Sequence, residues 1–137
     1  MTRTKILVVD DEQMNVELLE NYLSKDYDVS VAYDGNEALL IVDKDPPDLI
    51  ILDIMMPKMN GYEVCNKLKE NPRTMGIPII MVTALHQKKD KIKAIGMFAD
   101  DFLSKPIDFS ELTAKVKSLL RLKEYHDALI GDTRFLS

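Results

Sequence analysis

Five apolar runs of strand length, each followed by an amphipathic segment, leave this chain few folds to choose from. The runs occupy residues 5–9, 28–32, 49–52, 79–82 and 101–104. Near-continuous stretches such as Ile6-Leu7-Val8-Val9 and Leu49-Ile50-Ile51-Leu52 read as strands buried on both faces, which is the habit of a parallel sheet covered by helices. Between them, helical spacing predicts helices near residues 14–24, 36–43, 61–70 and 88–95, and from 109 to about 122. Leu18, Leu19, Tyr22 and Leu23 form the expected core face of the first, and Leu112, Val116, Leu119 and Leu120 that of the last. Pro46-Pro47 and Asn71-Pro72 close the second and third helices, and Met56-Pro57 forces an extended or turning backbone. The expected fold is α/β: a doubly wound, five-stranded parallel sheet with helices on both faces.

Each of two runs ends in acid. Asp10-Asp11 follows the first strand and Asp53 the third, so these charges lie at the rim of the sheet. In the flavodoxin-like strand order 2-1-3-4-5 the first and third strands are neighbours, roughly 4.8 Å apart. Their carboxylates can then reach one hard cation at the strand carboxyl ends, where such sheets bind ligands. Asp10 and Asp11 could instead cap the first helix, but capping leaves Asp53 without a role. The same order brings Thr83 and Lys105, at the ends of the fourth and fifth strands, to the Asp53 side. Three carboxylates repel a phosphate unless a divalent metal reverses the local field. A metal and one lysine would stabilise a phosphoryl group transferred onto a carboxylate, with Asp53 as the acceptor.

Composition narrows the class of partner. With 137 residues, 46% of them hydrophobic and 30% charged, the chain fits one domain. A net charge of -5 argues against nonspecific binding to nucleic acid or anionic membrane, which both need a basic surface. The single Cys65 cannot form an internal disulfide and no apolar stretch approaches a membrane span, so the cytoplasm is the expected compartment. Cys65 is expected to be a small core or boundary residue rather than a nucleophile, since no adjacent base is evident, while His86 is expected in a loop and His126 on the surface.

Four strings in order, ILVVDDE (6–12), DLIILDIMMPKMNGYEV (48–64), PIIMVTAL (78–85) and DDFLSKPID (100–108), resemble the response-regulator receiver (CheY-like) domain of two-component signalling. The resemblance implies that Asp53 is phosphorylated, that Asp11 binds Mg2+ (or Mn2+ in its place) directly, that Asp10 helps through water, and that the Met55 carbonyl completes the protein ligands. It implies a switch in which the Thr83 hydroxyl turns toward the phosphoryl group, Lys105 pairs with it and Phe102 changes rotamer. A cis bond between Lys105 and Pro106 belongs to the same pattern. The implied donor is a phosphohistidine on a sensor histidine kinase or a histidine phosphotransfer protein. The implied output face is the fourth helix, fifth strand and fifth helix, used for an output domain or a homodimer, with no direct contact to nucleic acid or membrane.

The organisation expected is a receiver over residues 1–122 and a helical extension or linker over 123–137, with Leu122, Tyr125, His126 and Leu129 on one stripe and Gly131 as its stop. The long segments around 64–85 and 105–125 are similar to the first receiver of PleD-type regulators, which end in a GGDEF diguanylate cyclase domain; no such domain lies in this chain. One departure stands out. Phe98 occupies a place where many receivers carry glycine, so the expectation is either that Gly96 stops the fourth helix two residues earlier or that the turn differs. A haloacid-dehalogenase-like phosphatase would need a D-x-D motif after the first strand, and a flavodoxin a Ser/Thr/Gly-rich phosphate loop there. Neither is present. A pseudo-receiver that binds partners without accepting phosphate is the remaining alternative, opposed by the presence of Asp11, Asp53, Thr83 and Lys105.

Overall fold

The computed structural model describes residues 3–84 and 99–136, with side chains through Leu129. Its strands are β1 (Lys5–Val9), β2 (Asp28–Ala32), β3 (Leu49–Asp53), β4 (Ile79–Thr83) and β5 (Asp101–Ser104). All pair in parallel, in the order β2-β1-β3-β4-β5. The expected topology holds, and β3 and β4 each run one residue further than their apolar runs, so Asp53 and Thr83 are the last residues of their strands.

Alternation along the strands divides the core. Leu7, Val9, Ile50, Leu52, Ile79 and Met81 pack on one side, against Ala38 and Val42 of helix α2 (Gly35–Lys44) and Val64, Cys65 and Leu68 of helix α3 (Gly61–Glu70). Ile6, Val8, Leu49, Ile51, Ile80, Val82 and Leu103 face the other side, against Leu19 and Leu23 of helix α1 (Gln13–Leu23) and Leu112 and Val116 of the C-terminal helix (Phe109–Leu136). Period-2 alternation in fully buried strands therefore serves two cores, and helices cover both faces. The helix expected at residues 88–95 lies outside the described residues, as do His86, Gly96 and Phe98.

Two expectations are corrected. Leu18 is 56% exposed, because α1 buries Val16, Leu19 and Leu23, an i, i+3, i+7 stripe that leaves Leu18 at its edge. Gly131 does not end the last helix, which continues to Leu136. Glycine weakens a helix by about 1 kcal/mol relative to alanine and favours a stop where it takes a left-handed conformation, and among the described residues no glycine has positive φ. Leu122, Tyr125 and Leu129 are exposed on that helix, and His126 lies on its surface as expected. Cys65 is buried in the core. No helix among the described residues is long and apolar enough to cross a membrane.

One local device fixes the end of β3. Asn60 and Glu63 cap α3 reciprocally: the Glu63 N–H donates to Asn60 Oδ1 at 3.0 Å and the Asn60 N–H to Glu63 Oε1 at 3.3 Å. Gly61, the first residue of the helix, donates to the Ile54 carbonyl at 2.9 Å. A Cβ on Gly61 would stand 2.4 Å from the Asp53 carbonyl oxygen and 2.8 Å from Ile54 Cα, so only glycine permits this approach of helix to strand end.

Candidate functional site

Strand parity aims the charged side chains. Two residues beyond Val8, Ile51 and Leu103, all on the α1 side of the sheet, stand Asp10, Asp53 and Lys105. The ladder extends far enough to keep that phase: the Asp10 N–H donates to the Ala32 carbonyl at 3.2 Å, and the Lys105 N–H to that of Thr83 at 2.8 Å. The result is one crevice at the carboxyl edge of β1, β3 and β5. Carboxylate oxygens of Asp10, Asp11 and Asp53 all lie within 4.8 Å of one another. Lys105 Nζ stands between two of them, 3.4 Å from Asp53 Oδ2 and 3.5 Å from Asp10 Oδ2. The peptide bond after Lys105, to Pro106, is cis.

Three acids face one lysine, and two of the acids are buried: Asp10 is 4% and Asp53 3% exposed, while Asp11 is open to solvent. Burial, followed by repulsion from Asp10, pushes the Asp53 carboxyl up to about 7, against the opposing pull of Lys105 and the Met55 N–H, which approaches Asp53 Oδ1 at 3.4 Å. Lys105 answers in kind. Burial pushes its ammonium down, yet attraction to Asp53 and Asp10 more than offsets this and holds it above the ordinary lysine value. Among the described residues the crevice is thus short of positive charge. Its donor set, carboxylate oxygen, fits a small hard cation such as Mg2+ and not a soft metal.

The remaining expected residues lie on or just after β3, β4 and β5. Thr83 is fully buried, and its hydroxyl donates to the Leu103 carbonyl at 3.5 Å. In the sheet register Val82 is opposite Asp53, so Thr83 lies one residue further out on the neighbouring strand. Phe102 is half-buried against the α2–α3 side of the core. Its carbonyl accepts from Lys115 Nζ at 2.6 Å, and that ammonium lies 5.6 Å from its ring centroid. Met55 directs its side chain outward, leaving the main chain toward the site. Capping does not explain Asp10: α1 starts after Glu12 with no side-chain cap, and Asp10 Oδ1 accepts instead from the Glu12 N–H at 3.0 Å.

Sequence reasoning missed Asn15, whose Nδ2 donates to Asp10 Oδ2 at 3.2 Å, and Gly61 behind Asp53. The glycine had a signal, a Gly directly after an N-cap Asn beyond a strand end. Asn15 had none stronger than its place in the first turn of a helix that follows an acidic pair. An apolar cleft lined by Leu18, Leu19, Pro106, Ile107 and Phe109 opens onto Asp10, Asn15 and Lys105.

Comparison with known proteins adds an independent line. The response regulator receiver domain family matches residues 6–117. Response regulator PleD of Caulobacter vibrioides is 49% identical over 126 residues, covering 91% of this chain and 28% of PleD. The alkaline phosphatase synthesis transcriptional regulatory protein PhoP of Bacillus subtilis is 45% identical over 121 residues, covering 88% of this chain and 50% of PhoP. The chain therefore spans half or less of these relatives. Chemotaxis protein CheY4 of Vibrio cholerae superposes with a TM-score of 0.81 at 28% identity, covering 86% of this chain and 99% of that one.

Proposed function

The chain belongs to the response-regulator receiver domain family, and from that premise we propose that Asp53 is its phosphoacceptor and Thr83, Lys105 and Phe102 its switch. The observation that carries this reading is the charge shortfall among the described residues of the crevice: three carboxylates gathered within 4.8 Å, two of them buried, with Lys105 among them. Receivers of this family are phosphorylated by histidine kinases. Here an oxygen of Asp53 attacks the phosphorus of a phosphohistidine, the P–O bond forms as the P–N bond breaks, and the imidazole leaves with that electron pair and takes a proton. No acid–base residue of this chain is required for such a transfer. Asp11, Asp53, the Met55 carbonyl and, through water, Asp10 would hold Mg2+. Bound there, the ion supplies the positive charge that lets an anionic phosphoryl group approach a carboxylate.

Lys105 then exchanges carboxylate partners for phosphoryl oxygens, and Thr83 leaves the weak bond to the Leu103 carbonyl for a charge-assisted one. These differential contacts bias a two-state output face that includes Phe102, β5 and the C-terminal helix. Receivers are signalling modules, so the product is a changed surface rather than a released molecule. A linker or dimer helix over residues 123–137 fits the exposed Leu122, Tyr125 and Leu129, and the likeness to PleD-type regulators makes a diguanylate cyclase the first output to examine.

Intact-mass measurement after incubation with acetyl phosphate tests the assignment. We expect one acid-labile phosphoryl group on the wild type, dependent on Mg2+ and absent from Asp53→Asn. An unmodified wild type under conditions that phosphorylate a control receiver would leave a pseudo-receiver as the better reading.

A further inference from the structure

The geometry points to Asn15 as a positioning residue that aims Asp10 at the cation, a role that rests on the metal-site reading above. Asp10 is almost wholly removed from water and has two oxygens to satisfy. Oδ1 is held by the Glu12 N–H at 3.0 Å, a bond set by the backbone. Oδ2 faces two side chains, the Asn15 amide at 3.2 Å and the Lys105 ammonium at 3.5 Å.

These two donors differ in kind. Lys105 is shared with Asp53 at 3.4 Å and is the charge that a phosphoryl group recruits. Its hold on Asp10 is therefore given up during the reaction. Asn15 is neutral, so it orients the carboxylate without cancelling the charge a cation needs, and it keeps its bond when the lysine moves. An apolar side chain here would leave a buried oxygen without that partner, and a second lysine would compete with the metal. Asparagine answers both demands. It is presented by the first turn of α1, whose Val16, Leu19 and Leu23 anchor the helix in the core, so its position is set by packing rather than by the crevice itself. Residues that orient a metal ligand in this way govern affinity without touching the ion.

Calorimetric titration of the full chain with MgCl2, at fixed pH and ionic strength, tests this without any phosphorylation. Removing such an outer-shell donor lowers metal affinity by about tenfold or more. We expect Asn15→Leu, close in size but without the amide, to weaken Mg2+ binding by about that factor. Asn15→Ala, which cannot clash, is expected to do the same, and thermal melts in EDTA establish that both variants are folded. The decisive arm is the double-mutant cycle with Asp10→Asn. Once Asp10 is neutral, the Asn15 substitution should add less than about a twofold further loss, because its effect passes through that carboxylate. Wild-type affinity in both single variants, or an undiminished loss in the Asp10→Asn background, overturns the role of Asn15. A wild type that binds no Mg2+ overturns the metal-site reading together with it.

Discussion

Two lysine–carboxylate clusters in this molecule are built from the same kinds of side chain and behave as opposites in the structure. At the amino edge of β4, Lys69 is 12% exposed in its side chain and places its ammonium 3.0 Å from Asp100 Oδ2, 2.9 Å from the Ile77 carbonyl and 3.2 Å from that of Met75. Three donors meet three acceptors, and Asp100 takes a further 2.7 Å bond from the Ile79 N–H. At the carboxyl edge, Lys105 divides itself between Asp10 and Asp53 at 3.5 and 3.4 Å, with Asp11 beside them. One cluster is closed and balanced, so it ties the α3–β4 loop to the start of β5. The other is loose and, among the described residues, short of positive charge. A satisfied ion pair stabilises a fold, whereas an unsatisfied one waits for a ligand.

Neutralising the crowded cluster should therefore stabilise the protein, and this is the largest effect expected. A carboxyl raised to about 7 in the folded state, from an ordinary 3.8, binds more protons folded than unfolded between those values. Its contribution is fully present at low pH and is lost as pH rises through 7. Asp53→Asn should remove that loss, stabilising the protein at pH 8 in EDTA by on the order of a few kcal/mol and much less at pH 4, since each tenfold change in proton affinity is worth about 1.4 kcal/mol. Urea unfolding at the two pH values measures it. A destabilised Asp53→Asn at pH 8 would mean that the crevice is balanced after all.

The closed cluster should respond in the opposite sense. Lys69→Met removes three bonds and leaves Asp100 short of a partner, so we expect a loss of about 2–3 kcal/mol in urea unfolding, with Mg2+ binding unchanged. A neutral result would move Lys69 to the ordinary class of weak surface pairs.

The smallest effect concerns the loop between them. Lys58 holds φ at 66°, a left-handed conformation that glycine adopts without cost and lysine does not. Lys58→Gly should gain about 1 kcal/mol while leaving the Lys69 cluster untouched. A thermal melt with unchanged or lower midpoint would show that the lysine side chain makes up the difference.

Much of this could be read from the chain, for identifiable reasons. Buried parallel strands announce themselves as apolar runs, and pleat parity carries Asp10, Asp53 and Lys105 to one side of the sheet, so both the fold and the centre of the crevice follow from short-range pattern. The misses are of another kind. Lys69 and Asp100 are 31 residues apart, and nothing local foretells their meeting. Leu18 shares the character of its buried neighbours and differs only by a rotation about the helix axis. Gly131 reads as a stop because glycine permits one, not because it requires one. Asn15 matters through an oxygen five residues back, at a spacing no helical rule covers because the partner lies before the helix begins.

The imbalance itself can be observed directly. With the aspartate side-chain carboxyl carbons labelled and Asp53 assigned by its absence in Asp53→Asn, an NMR titration in EDTA should give Asp53 a midpoint near 7, falling when saturating Mg2+ is added. A midpoint near 4 that Mg2+ leaves in place would contradict the over-acidic crevice on which the functional reading stands.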